Sequence, residues 1–177
     1  MNNNIKHNII LIGFMGSGKT SVGERLAQKL SYQFRDTDRL LEQKLQDTIS
    51  HIFATQGEEF FREKETALLK ELQPGLKHVV LSTGGGLPLR EQNTKLLKEM
   101  GFVVYLKASK ETTLKRLKGD KTRPLLQGED PEKRIETLLK DRTPIYEKAA
   151  HKTIVTDHKS LDELAIAIME AYLRLIY

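Results

Sequence analysis

The chain has 177 residues, enough for one domain with a real hydrophobic core and no need of disulfides or a structural metal. Hydrophobic residues make up 38% and charged residues 30%, which excludes a disordered chain, and no apolar run approaches the roughly 18–20 residues of a membrane span. Without cysteine there is no disulfide framework, thiolate zinc site or cysteine nucleophile, and a net charge of +5, spread along the chain without aromatic interleaving, fits a small anionic ligand better than nucleic acid. The opening MNNNI has neither the basic nor the long apolar region of a signal peptide, so a cytoplasmic chain is expected, with no membrane or nucleic-acid partner.

In chain order, Asn8–Ile12 is an apolar run ending at Gly13, as a buried strand would. Val22, Leu26, Ala27 and Leu30 recur at helical spacing over residues 21–30, and residues 32–35 read as a second strand ending at Asp36. Residues 49–72 carry helical patterning that Gly57 divides into two helices. Residues 78–82 form a third strand running into Gly84, Gly85 and Gly86. A helix over 91–100 is closed by Gly101, and 102–106 is a fourth strand. Residues 111–118 are helical, and the polar, breaker-rich stretch 119–131 is the mobile segment. The helix that follows over 132–140 should yield before Pro144. A short strand over 153–156 precedes the capping-box pattern Ser160-x-x-Glu163 and a final amphipathic helix. Strands alternating with helices of this length predict an α/β protein: a five-stranded parallel sheet with helices on both faces and ligands at the carboxyl ends of the strands.

Residues 13–20, GFMGSGKT, match the pattern G-x-x-x-x-G-K-[ST] between a strand and a helix. The glycines let the backbone curl so that its N–H groups meet phosphate oxygens, and the helix N-terminus favours the same anion. Gly16, Ser17, Gly18, Lys19, Thr20 and Ser21 are the candidate ATP contacts, with Lys19 on the β- and γ-phosphates and Thr20 on Mg²⁺. Phe14 and Met15 read as packing. No NKxD guanine reader is present, and the strand over 78–82 ends in glycines rather than an acid. A second metal-side acid must therefore come from Asp36-Thr37-Asp38. One of these carboxylates can hold Mg²⁺ and the other accept a hydroxyl proton; equally, both can cap the helix beginning near Arg39.

Together, GFMGSGKT, the DTD at 36–38, GEEFFREKE at 57–65, STGGG at 82–86, TRPLL at 122–126 and RTPIY at 142–146 resemble the shikimate kinase family. The likeness spans residues from about 9 to 146. The P-loop alone is generic; its combination with the other motifs is highly specific. The resemblance implies a nucleoside-monophosphate-kinase-like P-loop fold and transfer of the ATP γ-phosphate to the 3-hydroxyl of shikimate, in chorismate and aromatic amino-acid biosynthesis. It implies one kinase domain over 1–177, with a substrate-binding segment at about 36–65 and a lid at about 119–131. It places Asp38 on the shikimate hydroxyls as base, Arg62 and Arg142 on the carboxylate, and Gly84, Gly85 and Gly86 against the ring. Arg123 falls on the lid over the phosphates, and Asp36 at the water shell of Mg²⁺. The family often carries an arginine beside the adenine after the last strand; DHK stands here at 157–159, so Lys159 is the expected neighbour. A monomer is expected. Rival readings are a gluconate-type sugar-acid kinase and a nucleotide-binding switch without catalysis. Without the family, Arg62 would be a solvated helix charge paired with a glutamate, and Arg142 a charge at a helix C-terminus.

Overall fold

The computed structural model describes residues 7–120 and 130–176. Its strands are β1 (Asn8–Ile12), β2 (Gln33–Asp36), β3 (Val79–Ser82), β4 (Phe102–Lys107) and β5 (Lys152–Val155). Its helices are α1 (Lys19–Leu30), α2 (Thr37–Leu45), α3 (Ile49–Leu72), α4 (Glu91–Met100), α5 (Lys110–Leu117), α6 (Pro131–Ala149) and α7 (Leu161–Ile176), with a 3₁₀ turn at Leu87–Leu89. The strands form one parallel sheet in the order β2-β3-β1-β4-β5. The expected architecture is therefore the observed one.

The centre of the sheet is buried on both sides, since β1, β3 and all of β4 but its last residue are buried, while the edge strands β2 and β5 are largely open. Ile9 and Leu11 face α1 and α7, packing with Val22, Leu26, Leu164 and Ile168. Ile10 and Ile12 face the opposite layer, with Leu69, Leu97, Ile135 and Tyr146 from α3, α4 and α6. Each such fully buried side chain contributes about 1.5–3 kcal/mol. A third cluster, Leu41, Ile52, Phe61 and Leu68, seats α2 against α3. Asn8 is buried yet satisfied. Its amide donates to the carbonyls of Leu76 and Met100, and its oxygen accepts from Val79 N–H.

Gly57 has φ 84° and ψ 169° inside α3, so the expected division is real. The capping box at α7 forms as read: Glu163 accepts from Ser160 N–H, and Glu163 N–H donates to the Ser160 hydroxyl. One expectation fails. The helix does not yield before Pro144; α6 runs through it to Ala149. Proline removes one N–H and frees the Lys140 carbonyl. Lys140 is exposed, so water can take that place, while the same helix buries Ile135, Arg142, Tyr146 and Ala149.

Candidate active site

The turn after β1 curls around its own lysine. Gly13, Gly16 and Gly18 all have positive φ, at 150°, 75° and 92°. At Gly13 the room is also lacking, since a Cβ would stand 2.6 Å from the Leu106 carbonyl. Lys19 Nζ donates to the carbonyls of Gly13 (2.8 Å) and Phe14 (2.9 Å) and to the Ser17 hydroxyl. From the far side, exposed Arg116 donates to the Gly16 carbonyl at 2.9 Å. A hollow lies above the turn, bordered by Gly16, Gly18, Lys19, Thr20 and Ser21, with Asp36 and Asp38 opposite.

Asp36 bears out the capping reading and leaves its second oxygen beside Thr20. One carboxylate oxygen caps α2 by accepting from Asp38 and Arg39 N–H; the other accepts from the Thr20 hydroxyl at 3.3 Å. The cap aims α2 so that Asp38 turns inward, while Thr37, one residue earlier, accepts from Gly84 N–H at 2.9 Å. A hydroxyl and a carboxylate oxygen side by side form the hard oxygen donor set that suits Mg²⁺.

A second hollow adjoins the first and shares Met15, Asp38 and Gly85 with it. Its walls bring together Asp38, Arg62, Arg142 and Gly84, Gly85 and Gly86, the predicted acceptor-side residues, from four separate elements. Phe53 and Phe61 supply an apolar wall. Arg62 is 8% exposed and Arg142 5%, so neither is the surface charge that the rival readings describe. Arg62 donates through Nε and Nη2 to Glu58 and through Nη1 to Glu65 at 2.6 Å. Burial works against its charge, but Glu65 and Glu58 outweigh it and raise its pKa. Arg142 lies mid-helix rather than at a C-terminus, its guanidinium 5.8 Å from the centre of the Phe14 ring. Phe14, read as mere packing, is thus also the platform for a buried cation.

Two residues of this site were missed. Glu65 has no exposed surface, and its Oε1 lacks a hydrogen-bond partner beside the cavity. A Cβ at Gly84 would stand 2.9 Å from that oxygen and 2.5 Å from Asp38 Oδ1, which shows how closely the two acids flank the glycine turn. Burial pushes the Glu65 carboxyl up to about 7, with Arg62 pulling down and Asp38 pushing further up. Tyr146, also buried, donates its hydroxyl to the Gly85 carbonyl at 2.6 Å. Their signal in the sequence was position: Glu65 is one turn after Arg62 and Tyr146 one turn after Arg142, on the same buried faces.

Two expectations fall elsewhere. Arg123 and most of the stretch 119–131 lie outside the described residues. Lys159 is exposed and borders neither hollow. Its neighbour Asp157 accepts from Ser109 and Thr112 at the start of α5, and those hydroxyls hold its carboxyl down to about 2.

The family model described as shikimate kinase matches residues 15–173. A shikimate kinase of Thioalkalivibrio sulfidiphilus is 45% identical over 93% of this chain and 86% of its own. That of Thermodesulfovibrio yellowstonii is 46% identical over 95% and 96%. Among solved structures, a shikimate kinase from Acinetobacter baumannii in complex with shikimate superposes with a TM-score of 0.91 at 44% identity, covering 97% of this chain and 95% of the other.

Proposed function

The chain belongs to the shikimate kinase family, and from that premise we propose that it moves the γ-phosphoryl group of ATP to the 3-hydroxyl of shikimate, giving shikimate 3-phosphate and ADP. The observation that carries this reading is the pair of adjoining hollows: one is lined by a phosphate loop, the other by two buried arginines, and Asp38 lies on their common border.

The roles follow from the donors each side offers. Loop N–H groups, the α1 N-terminus and Lys19 hold the phosphate chain, with Gly16, Ser17, Gly18, Thr20 and Ser21 around it. Thr20 and Asp36 hold Mg²⁺, which when bound neutralises charge on the β- and γ-phosphates. Arg62 and Arg142 take the shikimate carboxylate, since guanidinium forks match its two oxygens. The ring lies against Gly84, Gly85 and Gly86, where the lack of side chains lets it approach the backbone, and stacks on the Phe53 and Phe61 wall. Asp38 orients the 3-hydroxyl and accepts its proton as the new O–P bond forms and the bond to the leaving ADP oxygen breaks. Arg123 completes the phosphate side, on a lid over about 119–131 that excludes water. The chain works as a monomer in the cytoplasm, a single kinase domain whose segment 36–65 binds the acceptor.

The test is a coupled assay of ADP release. Turnover should appear only when shikimate is added with Mg²⁺-ATP. Equal turnover with gluconate, or none with shikimate, sinks the proposal.

A further inference from the structure

Gly85 is where three parts of the molecule meet. A Cβ there would lie 3.5 Å from both Gly13 O and Met15 N, so this peptide is in contact with the phosphate loop. On its other side stands the Tyr146 hydroxyl, 3.8 Å from the same point and donating to the Gly85 carbonyl at 2.6 Å. Tyr146 is itself fixed. It has no exposed surface, its ring packs 5.1 Å from that of Tyr105, and Arg142 precedes it by one turn of α6. The hydrogen bond is thus the described side-chain link between the helix that carries one buried arginine and the glycine turn across the cavity.

We propose that Tyr146 is a positioning residue for the acceptor: its hydroxyl fixes the Gly85 peptide, and with it the glycine turn as a wall of the acceptor cavity. This rests on reading that turn as the acceptor's seat. Burial raises the phenol to about 12, so it remains a proton donor throughout the physiological range, with the Arg142 charge and its hydrogen bond to the phenol oxygen only partly opposing that shift. A buried tyrosine that merely fills the core also needs a partner for its hydroxyl, but there the loss of the hydroxyl would bear only on stability.

Tyr105 provides the control, since it is equally buried, touches the same ring, and directs its hydroxyl toward Thr143 instead. Losing one buried hydrogen bond should raise the shikimate KM of Tyr146→Phe about fivefold to twentyfold. Its kcat and its KM for ATP should change less than about threefold. Tyr105→Phe should leave the shikimate KM within about twofold, even where its melting temperature falls as far. The Gly86 amide, which shares the Gly85 peptide plane, should shift in ¹H–¹⁵N spectra of the first variant and not of the second. Equal KM changes in both variants, or a change in melting temperature alone, overturns the inference. Should Tyr146→Phe not fold, 4-fluorophenylalanine at 146 fills the place of the hydroxyl without a proton to donate, and an unchanged shikimate KM then overturns it. Arg142→Lys separates the two levels. If that variant leaves the shikimate KM unmoved, the acceptor site itself is misread; if it raises KM while Tyr146→Phe does not, only the role of Tyr146 falls.

Discussion

The two hollows that share Asp38 are built by opposite means. The phosphate side centres on one stretch, residues 13–21, curled by glycine conformations so that main-chain N–H groups line it, with Asp36 and Asp38 facing it. The proposed acceptor side is assembled from α2, α3, the turn after β3 and α6, and acts through charged side chains buried against one another. The first construction tolerates many neighbours and therefore recurs across unrelated chemistries. The second ties specificity to a few pairs, each of which depends on another element's exact placement. Binding a nucleotide is local in the sequence; choosing the acceptor is not.

Substitutions can break this contrast in order of severity. Lys19→Ala should strike the phosphate side hardest, lowering kcat by about three orders of magnitude or more and weakening nucleotide binding, both measurable by coupled assay and calorimetry. Asp38→Asn should cost about 10²–10⁴ in kcat while leaving calorimetric ATP affinity largely intact. A matching fall in ATP affinity would move Asp38 to the phosphate side. Gly86→Ala should act on the acceptor side alone. Its φ of −89° admits alanine, but the new Cβ would overlap the Arg62 guanidinium, which Glu58 and Glu65 hold in place. The shikimate KM should rise about tenfold with the ATP KM unmoved, and an unchanged shikimate KM would count against Arg62 as a ligand.

The smallest effect is on stability. The folded-state pKa of Glu65 is near 7, above its ordinary 4.5, so the folded chain keeps a proton that the unfolded chain has already lost. The sign follows: the contribution of Glu65 to stability is full below about pH 4.5, is lost as pH rises toward 7, and is absent above. Glu65→Gln should remove that decline from urea-unfolding curves taken across the window. Identical slopes in both proteins would assign the decline to other groups.

What the sequence made legible follows the same division. Strand order could not be read, but the strands, the curled loop, the Gly57 break and the α7 capping box could, because each depends on residues within a few positions of one another. Asp36 was left between two roles; the fold shows the cap on α2 with one oxygen and places the other beside the Thr20 hydroxyl. Glu65 and Tyr146 stood in the family motifs without a role of their own, because the contacts that bring them into the site reach beyond their segments: Glu65 meets Asp38 across Gly84 besides its partner Arg62, and Tyr146 meets Gly85. Pro144 misled for the reverse reason. Its local rule is sound, yet it concerns one hydrogen bond on an exposed side of a helix whose other side is anchored by Arg142 and Tyr146.

The central place of β1 has a consequence for the chain as it is being made. Its sheet partners are β3 and β4, with Asn8 in register with Val79 and Ile9 with Phe102. At synthesis rates of roughly 5–20 residues per second, the first strand waits several seconds for a neighbour, its isoleucines uncovered and its edges open. Asn8 waits as well, since its hydrogen-bond partners are Leu76, Val79 and Met100. The strand that later leads into the glycine-rich turn is therefore expected to begin life as a client for chaperones. Ribosome-bound chains halted before residue 79 should be cut by protease in β1, and chains halted well beyond residue 107 should resist.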